Sequence, residues 1–209
     1  MLQKTPEQND ANWSSIAVFD FDGTLIRRNT LIDFFTRMFP LQTTIVCGIR
    51  ILPSIIAFLM GTLSNTECKE RLLGYYLRGM PHARLAALGT AYTQRLDTLV
   101  NKKMIDRLAW HRKCGHTVVI ISASIHEWIA PWAKEYADTV LATRLEVRGG
   151  ILTGRMNGAN CYGPEKVARL LEAYPDRSHY TLYAYGDGTS DKELLQDADH
   201  SFWRTSSKD

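Results

Sequence analysis

Short all-apolar runs punctuate the chain, and each stops at a polar cluster. Ile16–Phe19 (IAVF) runs into Asp20-Phe21-Asp22-Gly23-Thr24. Thr117–Ile121 (TVVII) runs into Ser122-Ala123-Ser124, and Leu182–Tyr185 runs into Gly186-Asp187-Gly188. Runs this short and rich in β-branched residues predict strands buried on both faces. Thr139–Ala142 and Ser201–Trp203 predict two further short strands, and Gly149-Gly150 predicts a hairpin turn within 145–153.

Between the first strand and TVVII the period changes to that of helices. Asn29 is a candidate cap for a helix from Leu31 that Pro40 interrupts. Only helical patterns follow from Leu41 to about Leu108. Ser64 and Glu67 form a capping-box signal for a helix to Arg78, which Gly79-Met80-Pro81 ends. Helices are expected from His82 to Leu99 and from Asn101 to Lys113. Later ones are expected from His126 to Tyr136, from Pro164 at a first helical turn, and from Asp191 to Asp197. Trp128, Trp132 and Tyr136 recur every four residues and read as a packing face.

Strands alternating with helices predict an α/β fold, a Rossmann-like parallel sheet of βαβ units flanked by helices. The helical block is too long for a loop and is expected to be a cap. The expected division is 14–28 plus 109–209 as the catalytic core and 29–108 as the cap, after a loose tail at 1–13.

One stretch changes this picture of a water-soluble domain. Residues 45–60 read IVCGIRILPSIIAFLM, 12 of 16 apolar. A clean membrane span needs about 20 uninterrupted apolar residues, and Gly48, Arg50 and Pro53 interrupt this one. The first expectation is a buried or half-buried cap helix. The alternative is a helix lying on a membrane face, with Arg27, Arg28, Arg37 and Arg50 near anionic head groups.

Composition adds mainly exclusions. The 209 residues carry a net charge of +3, too small and scattered for a nucleic-acid partner. Four cysteines without a C-x-x-C pair read as reduced thiols of a cytoplasmic protein, with peripheral contact at the inner face of the membrane as the variant. The polar N-terminus shows no secretory signal.

The chemistry gathers at the strand ends, where open parallel sheets bind ligands. Mg²⁺ prefers oxygen ligands, and Asp20 and Asp187 at two strand ends could share one ion, with the Asp22 carbonyl turned towards it. A carboxylate can attack phosphorus, and a second can protonate the leaving oxygen and then activate water. Ser122 offers a hydroxyl, Ala123 a neighbouring backbone N–H, Thr24 a second hydroxyl and Lys166 an ammonium near a helix N-terminus, all able to hold phosphate oxygens. Asp191 reads from its position as a possible N-cap for the last helix.

In order along nearly the whole chain, DFDGT (20–24), IISAS (120–124), GPEKVARLL with Lys166, and YGDGTSD (185–191) resemble the motifs of the haloacid dehalogenase-like phosphohydrolases. The early helical insertion and ATRLEVRGGILTG (142–154) resemble the phosphoserine phosphatase-like branch. The resemblance implies Asp20 as nucleophile, Asp22 as general acid/base, and Ser122 and Lys166 as phosphate holders. It implies Mg²⁺ on Asp20, Asp187 and the Asp22 carbonyl, with Asp191 supporting the metal shell or Lys166. A phosphoacceptor module would lack the second aspartate, and a carbon dehalogenase would need neither Asp22 nor Mg²⁺.

The expected function is Mg²⁺-dependent hydrolysis of a phosphorylated small molecule through an aspartyl-phosphate. Phosphoserine itself is disfavoured. Where phosphoserine phosphatases carry a glutamate to meet the substrate amine, this chain has the uncharged Asn29, and Arg27 and Arg28 point to an anionic or bulky substrate. The apolar 45–60 stretch and NCYGPEKV also resemble the C-type phosphatidylglycerophosphatases, so a lipid phosphate at the membrane surface is the alternative.

Overall fold

The computed structural model describes residues 14–203, so the expected tail at 1–13 lies outside the described residues. The IAVF run forms β1 (Ser15–Asp20), the central strand of a five-stranded sheet. It pairs in parallel with β2 (Thr117–Ile125) on one side and β6 (Thr181–Gly186) on the other. Beyond these lie β3 (Thr139–Thr143) and β7 (His200–Trp203), both parallel, giving the order β3-β2-β1-β6-β7. The chain therefore builds outward from β1 in one direction and then resumes on its other side with β6. That reversal makes a crevice at the carboxyl ends of β1 and β6.

Alternation within β1 sends side chains to two cores. Ala17 and Phe19 join one apolar cluster and Ile16 and Val18 the other, all fully buried. The first cluster is covered by α1 (Thr30–Met38), α3 (Asn65–Leu77), α4 (His82–Asp97), α5 (Lys102–Lys113) and α6 (His126–Ala133). The second is covered by α7 (Pro164–Ala173) and α8 (Lys192–Asp197). Trp128 stacks on Phe34 at 4.4 Å and Trp132 on Tyr136 at 4.2 Å, so the four-residue aromatic spacing does form a packing face.

The sequence places the end of the second strand at Ile121, but β2 continues to Ile125. Its register with β3 shifts between Ser122 and Ile125, a bulge that lets the polar Ser122–Ser124 turn occur inside the strand. The helix after it stops at Ala133 rather than Tyr136. The capping box at Ser64 and Glu67 is present. The hairpin β4 (Leu145–Arg148) and β5 (Ile151–Met156) clasps the turn between α3 and α4 through Gly79, Met80 and His82. The expected cap–core boundary at 108/109 falls inside α5, whose Met104 and Leu108 pack into the core against β2.

The largest departure is α2 (Leu41–Leu59). Instead of a half-buried helix, only Cys47, Ile51 and Ser54 are buried along its 19 residues.

Candidate active site

The carboxyl end of β1 delivers Asp20 into the crevice, where it is buried. The chain must then turn sharply. Gly23 makes the turn at φ +84°, and its amide donates to the Ile26 carbonyl at 2.6 Å. A Cβ there would also overlap the Asp187 carboxylate, so glycine is required on two counts. The turn brings Asp22 back over the site. It accepts from the Thr30 amide at the N-terminus of α1 (2.9 Å) and from the Ser124 hydroxyl (2.5 Å).

Gly163 and Pro164 start α7 so that Lys166, in its first turn, reaches under β1. Its Nζ lies 2.5 Å from Asp20 Oδ1 and 2.5 Å from Asp191 Oδ1. The other oxygen of Asp191 accepts from the amides of Asp187 (3.2 Å) and Gly188 (3.0 Å), fixing the loop after β6. Gly186 is the only residue that fits beneath, since a Cβ there would sit 2.6 Å from Asp191 Cβ. Asp191 therefore orients Lys166 and the loop bearing Asp187, and its side chain makes no cap bond to α8.

Ligand oxygens of Asp20, Asp187 and Asp191 all lie within 4.8 Å of one another. With Asp22 nearby, four carboxylates crowd around the buried ammonium of Lys166. Burial pushes Asp20 up to about 8, with Lys166 opposing and Asp191 adding to the rise. Burial also raises Asp187, with Asp191 and Asp22 contributing. Desolvation pulls Lys166 down, but Asp20 and Asp191 outweigh it and hold it above the usual lysine range. Lys166 stays charged, and the surplus negative charge fits a hard divalent cation bound through oxygen. Asp22 is raised by burial against the hydrogen bonds from Ser124 and Thr30, as a proton donor requires.

Above these groups lies a cavity of about 380 Å³. Asp20, Asp22, Ser122, Ala123 and Ser124 form its polar end. Ser122 Oγ accepts from the Ser124 amide at 2.9 Å. Thr24 does not reach the cavity: it is fully buried, its hydroxyl has no partner among the described residues, and its carbonyl accepts from Asn101. Arg27 and Arg28 are exposed and stand outside the cavity wall, a correction to their expected substrate role. Asn29 lines the cavity, but its side-chain oxygen caps α1 through Ile32 N (3.3 Å). His126 is outside the wall, and burial pushes it down to about 4.

Lys69 is a site residue that the sequence reading missed. It projects from α3, is buried, and donates to Asn160 Oδ1 (2.6 Å), Thr143 Oγ1 (3.4 Å) and the Ala123 carbonyl. Among the described residues no carboxylate lies within ion-pair distance of it, and burial, partly opposed by Asp22, pushes it down to about 8. Asn160 Nδ2, on the same wall, is buried without a partner among the described residues. The Lys69 ammonium, its three donors taken by neutral oxygens and its charge favoured by Asp22, thus stands with the Asn160 amide on the cavity wall. The available signal was spacing: Lys69, Leu73 and Leu77 share the buried face of α3.

With that geometry in place, similarity to known proteins is informative. A family model described as haloacid dehalogenase-like hydrolase matches residues 17–196. Protein CicA of Caulobacter vibrioides is 30% identical over 193 residues, covering 90% of this chain and 85% of that protein. A probable phosphatase of Mycobacterium tuberculosis is 35% identical over 107 residues, covering 49% of this chain and 37% of that one. The structure of phosphoserine phosphatase from T. onnurineus in complex with NDSB-201 superposes with a TM-score of 0.60 at 21% identity, covering 94% of this chain and 87% of that one.

Proposed function

The chain belongs to the haloacid dehalogenase-like hydrolases and is a phosphatase, and from that premise we propose that it hydrolyses phosphomonoesters with Mg²⁺ through an aspartyl-phosphate on Asp20. The observation that carries this reading is the pairing at the cavity floor. Asp20 is held by Lys166, and Asp22 is held apart from it by Thr30 and Ser124.

Asp20 and Asp187, with Asp191 beside them, supply the carboxylates that would hold the ion, and Mg²⁺ there would neutralise charge on the transferring phosphoryl oxygens. Lys166 occupies Oδ1 of Asp20, so Oδ2 attacks phosphorus. The bond from phosphorus to the ester oxygen breaks, and Asp22 gives that oxygen a proton. Ser122, the Ser122–Ser124 bulge and Lys69 position the phosphoryl group or its neighbour. Asp22, now a base, takes a proton from water. The water oxygen attacks phosphorus, the bond to Asp20 breaks, and orthophosphate leaves with both aspartates restored.

A small phosphorylated molecule suits a cavity of this volume. Release of phosphate from an aryl phosphate tests the reading. Wild-type activity should vanish with EDTA and return with Mg²⁺. Asp20→Asn should lower it by on the order of 10³-fold or more with the fold intact. Asp22→Asn should let acid-stable labelled phosphate accumulate on the protein. Activity unchanged by EDTA, or by Asp20→Asn, would sink the proposal.

A further inference from the structure

A second cavity lies in the cap. It measures about 690 Å³, and no residue lines both it and the catalytic cavity. Arg50 of α2, Arg71 of α3, Arg78 just after α3 and Arg155 of β5 line it, together with Glu67 and Glu70. Both carboxylates are already engaged by neutral donors. Glu67 accepts from the amide (2.8 Å) and the hydroxyl (2.6 Å) of Ser64 in the capping box, and Glu70 accepts from the Met156 amide at 3.0 Å. Arg71 donates to Ser54 Oγ at 3.2 Å. The guanidinium groups of Arg50, Arg78 and Arg155 are exposed and make no hydrogen bond or ion pair among the described residues. Four guanidinium groups thus share one groove with two carboxylates, which leaves two positive charges in excess.

A backbone contact builds this groove. Gly154, at φ +81°, packs on α3 so closely that a Cβ there would come 2.8 Å from Gly74 Cα. The contact brings Arg155 into the same cavity as Arg71 and Arg78. Packing does not demand Gly74 itself, since a Cβ there would meet nothing nearer than the Gly154 carbonyl at 3.7 Å. Glycine inside a helix is less favourable than alanine, but here it leaves bare backbone on the groove wall, where a ligand can approach closely. Like charges held together repel, and a bound anion relieves that repulsion. Guanidinium forks match the paired oxygens of phosphate groups. One singly charged anion would leave part of the excess uncompensated, whereas two or more linked phosphates neutralise it.

We propose that this groove binds a small anion carrying two or more phosphate groups, at a site separate from the catalytic cavity. The proposal does not depend on the phosphatase reading. Isothermal titration calorimetry in metal-free buffer tests it, with tripolyphosphate and ATP as probes. Both should bind saturably, and orthophosphate much more weakly. Equal affinities identify the phosphate chain as the ligand. Tighter binding of ATP identifies a nucleotide, with the exposed ring of Tyr75 on the wall available to its base. Arg78→Gln/Arg155→Gln should weaken binding by about tenfold or more. It should leave aryl phosphate hydrolysis within about twofold, because neither residue lines the catalytic cavity. Gly74→Ala should raise the melting temperature yet weaken binding severalfold, by placing a methyl on the groove wall.

Absence of binding by both probes overturns the site. So does binding that the arginine pair and Gly74→Ala both leave intact, since the anion then sits elsewhere. Loss of hydrolysis together with binding in the arginine pair, at an unchanged melting temperature, overturns the separateness of the two cavities. Orthophosphate binding as tightly as tripolyphosphate overturns the ligand class.

Discussion

Lys69 shows how one residue sets a pH dependence. Its folded value of about 8 lies below the 10.5 of an unburied lysine, so the folded protein binds its proton less tightly than the unfolded chain. Burying the ammonium costs stability below pH 8, and that cost fades as pH rises from 8 towards 10.5. For catalysis the sign is opposite, because only the charged form attracts an anion. At saturating Mg²⁺, kcat/KM should fall as pH rises through about 8, and Lys69→Met should remove that limb along with most of the activity below it. Gly23 gives a second test. Gly23→Ala strains a positive φ by about 1 kcal/mol and pushes a methyl into Asp187. The Mg²⁺ concentration for half-maximal activity should rise by about tenfold or more, with Lys166 untouched.

Among the elements, the contact of α4 with α6 depends on Gly89. A Cβ there would overlap the Glu127 carbonyl, and both are part of rigid helical backbone. Gly89→Ala should destabilise the fold by about 1–3 kcal/mol in urea unfolding, although alanine favours helices elsewhere. Most element positions were legible in the sequence, because caps, prolines and β-branched runs act locally. The Ser64–Glu67 box and the Gly149-Gly150 turn fall where expected. The end of β2 was not legible, because its last residues are held by pairing with β3 across the bulge, a partner distant in sequence. The burial of α2 was misjudged for a related reason. An apolar helix reads the same from sequence whether a neighbour covers it or not.

For the whole molecule, folding concentrates four acidic side chains around one lysine, and that repulsion is stored until a cation binds. Metal at about one hundred times its dissociation constant should add roughly 2.7 kcal/mol, which for a protein of this size raises the melting temperature by several degrees. Asp187→Asn should erase most of that rise and itself raise the melting temperature without metal. Differential scanning calorimetry with EDTA and with Mg²⁺ reads both. The sequence by itself determined the sheet, the order of its motifs and the acidic strand ends, since each follows from periodicity or from residues a few positions apart. Tertiary structure alone decided that Lys166 bridges Asp20 and Asp191, that Lys69 enters the cavity, that Arg27, Arg28 and Thr24 stay off its wall, and that α2 remains uncovered. These are contacts across 25 to 146 positions, or their absence, and no local pattern encodes which distant surface a side chain meets.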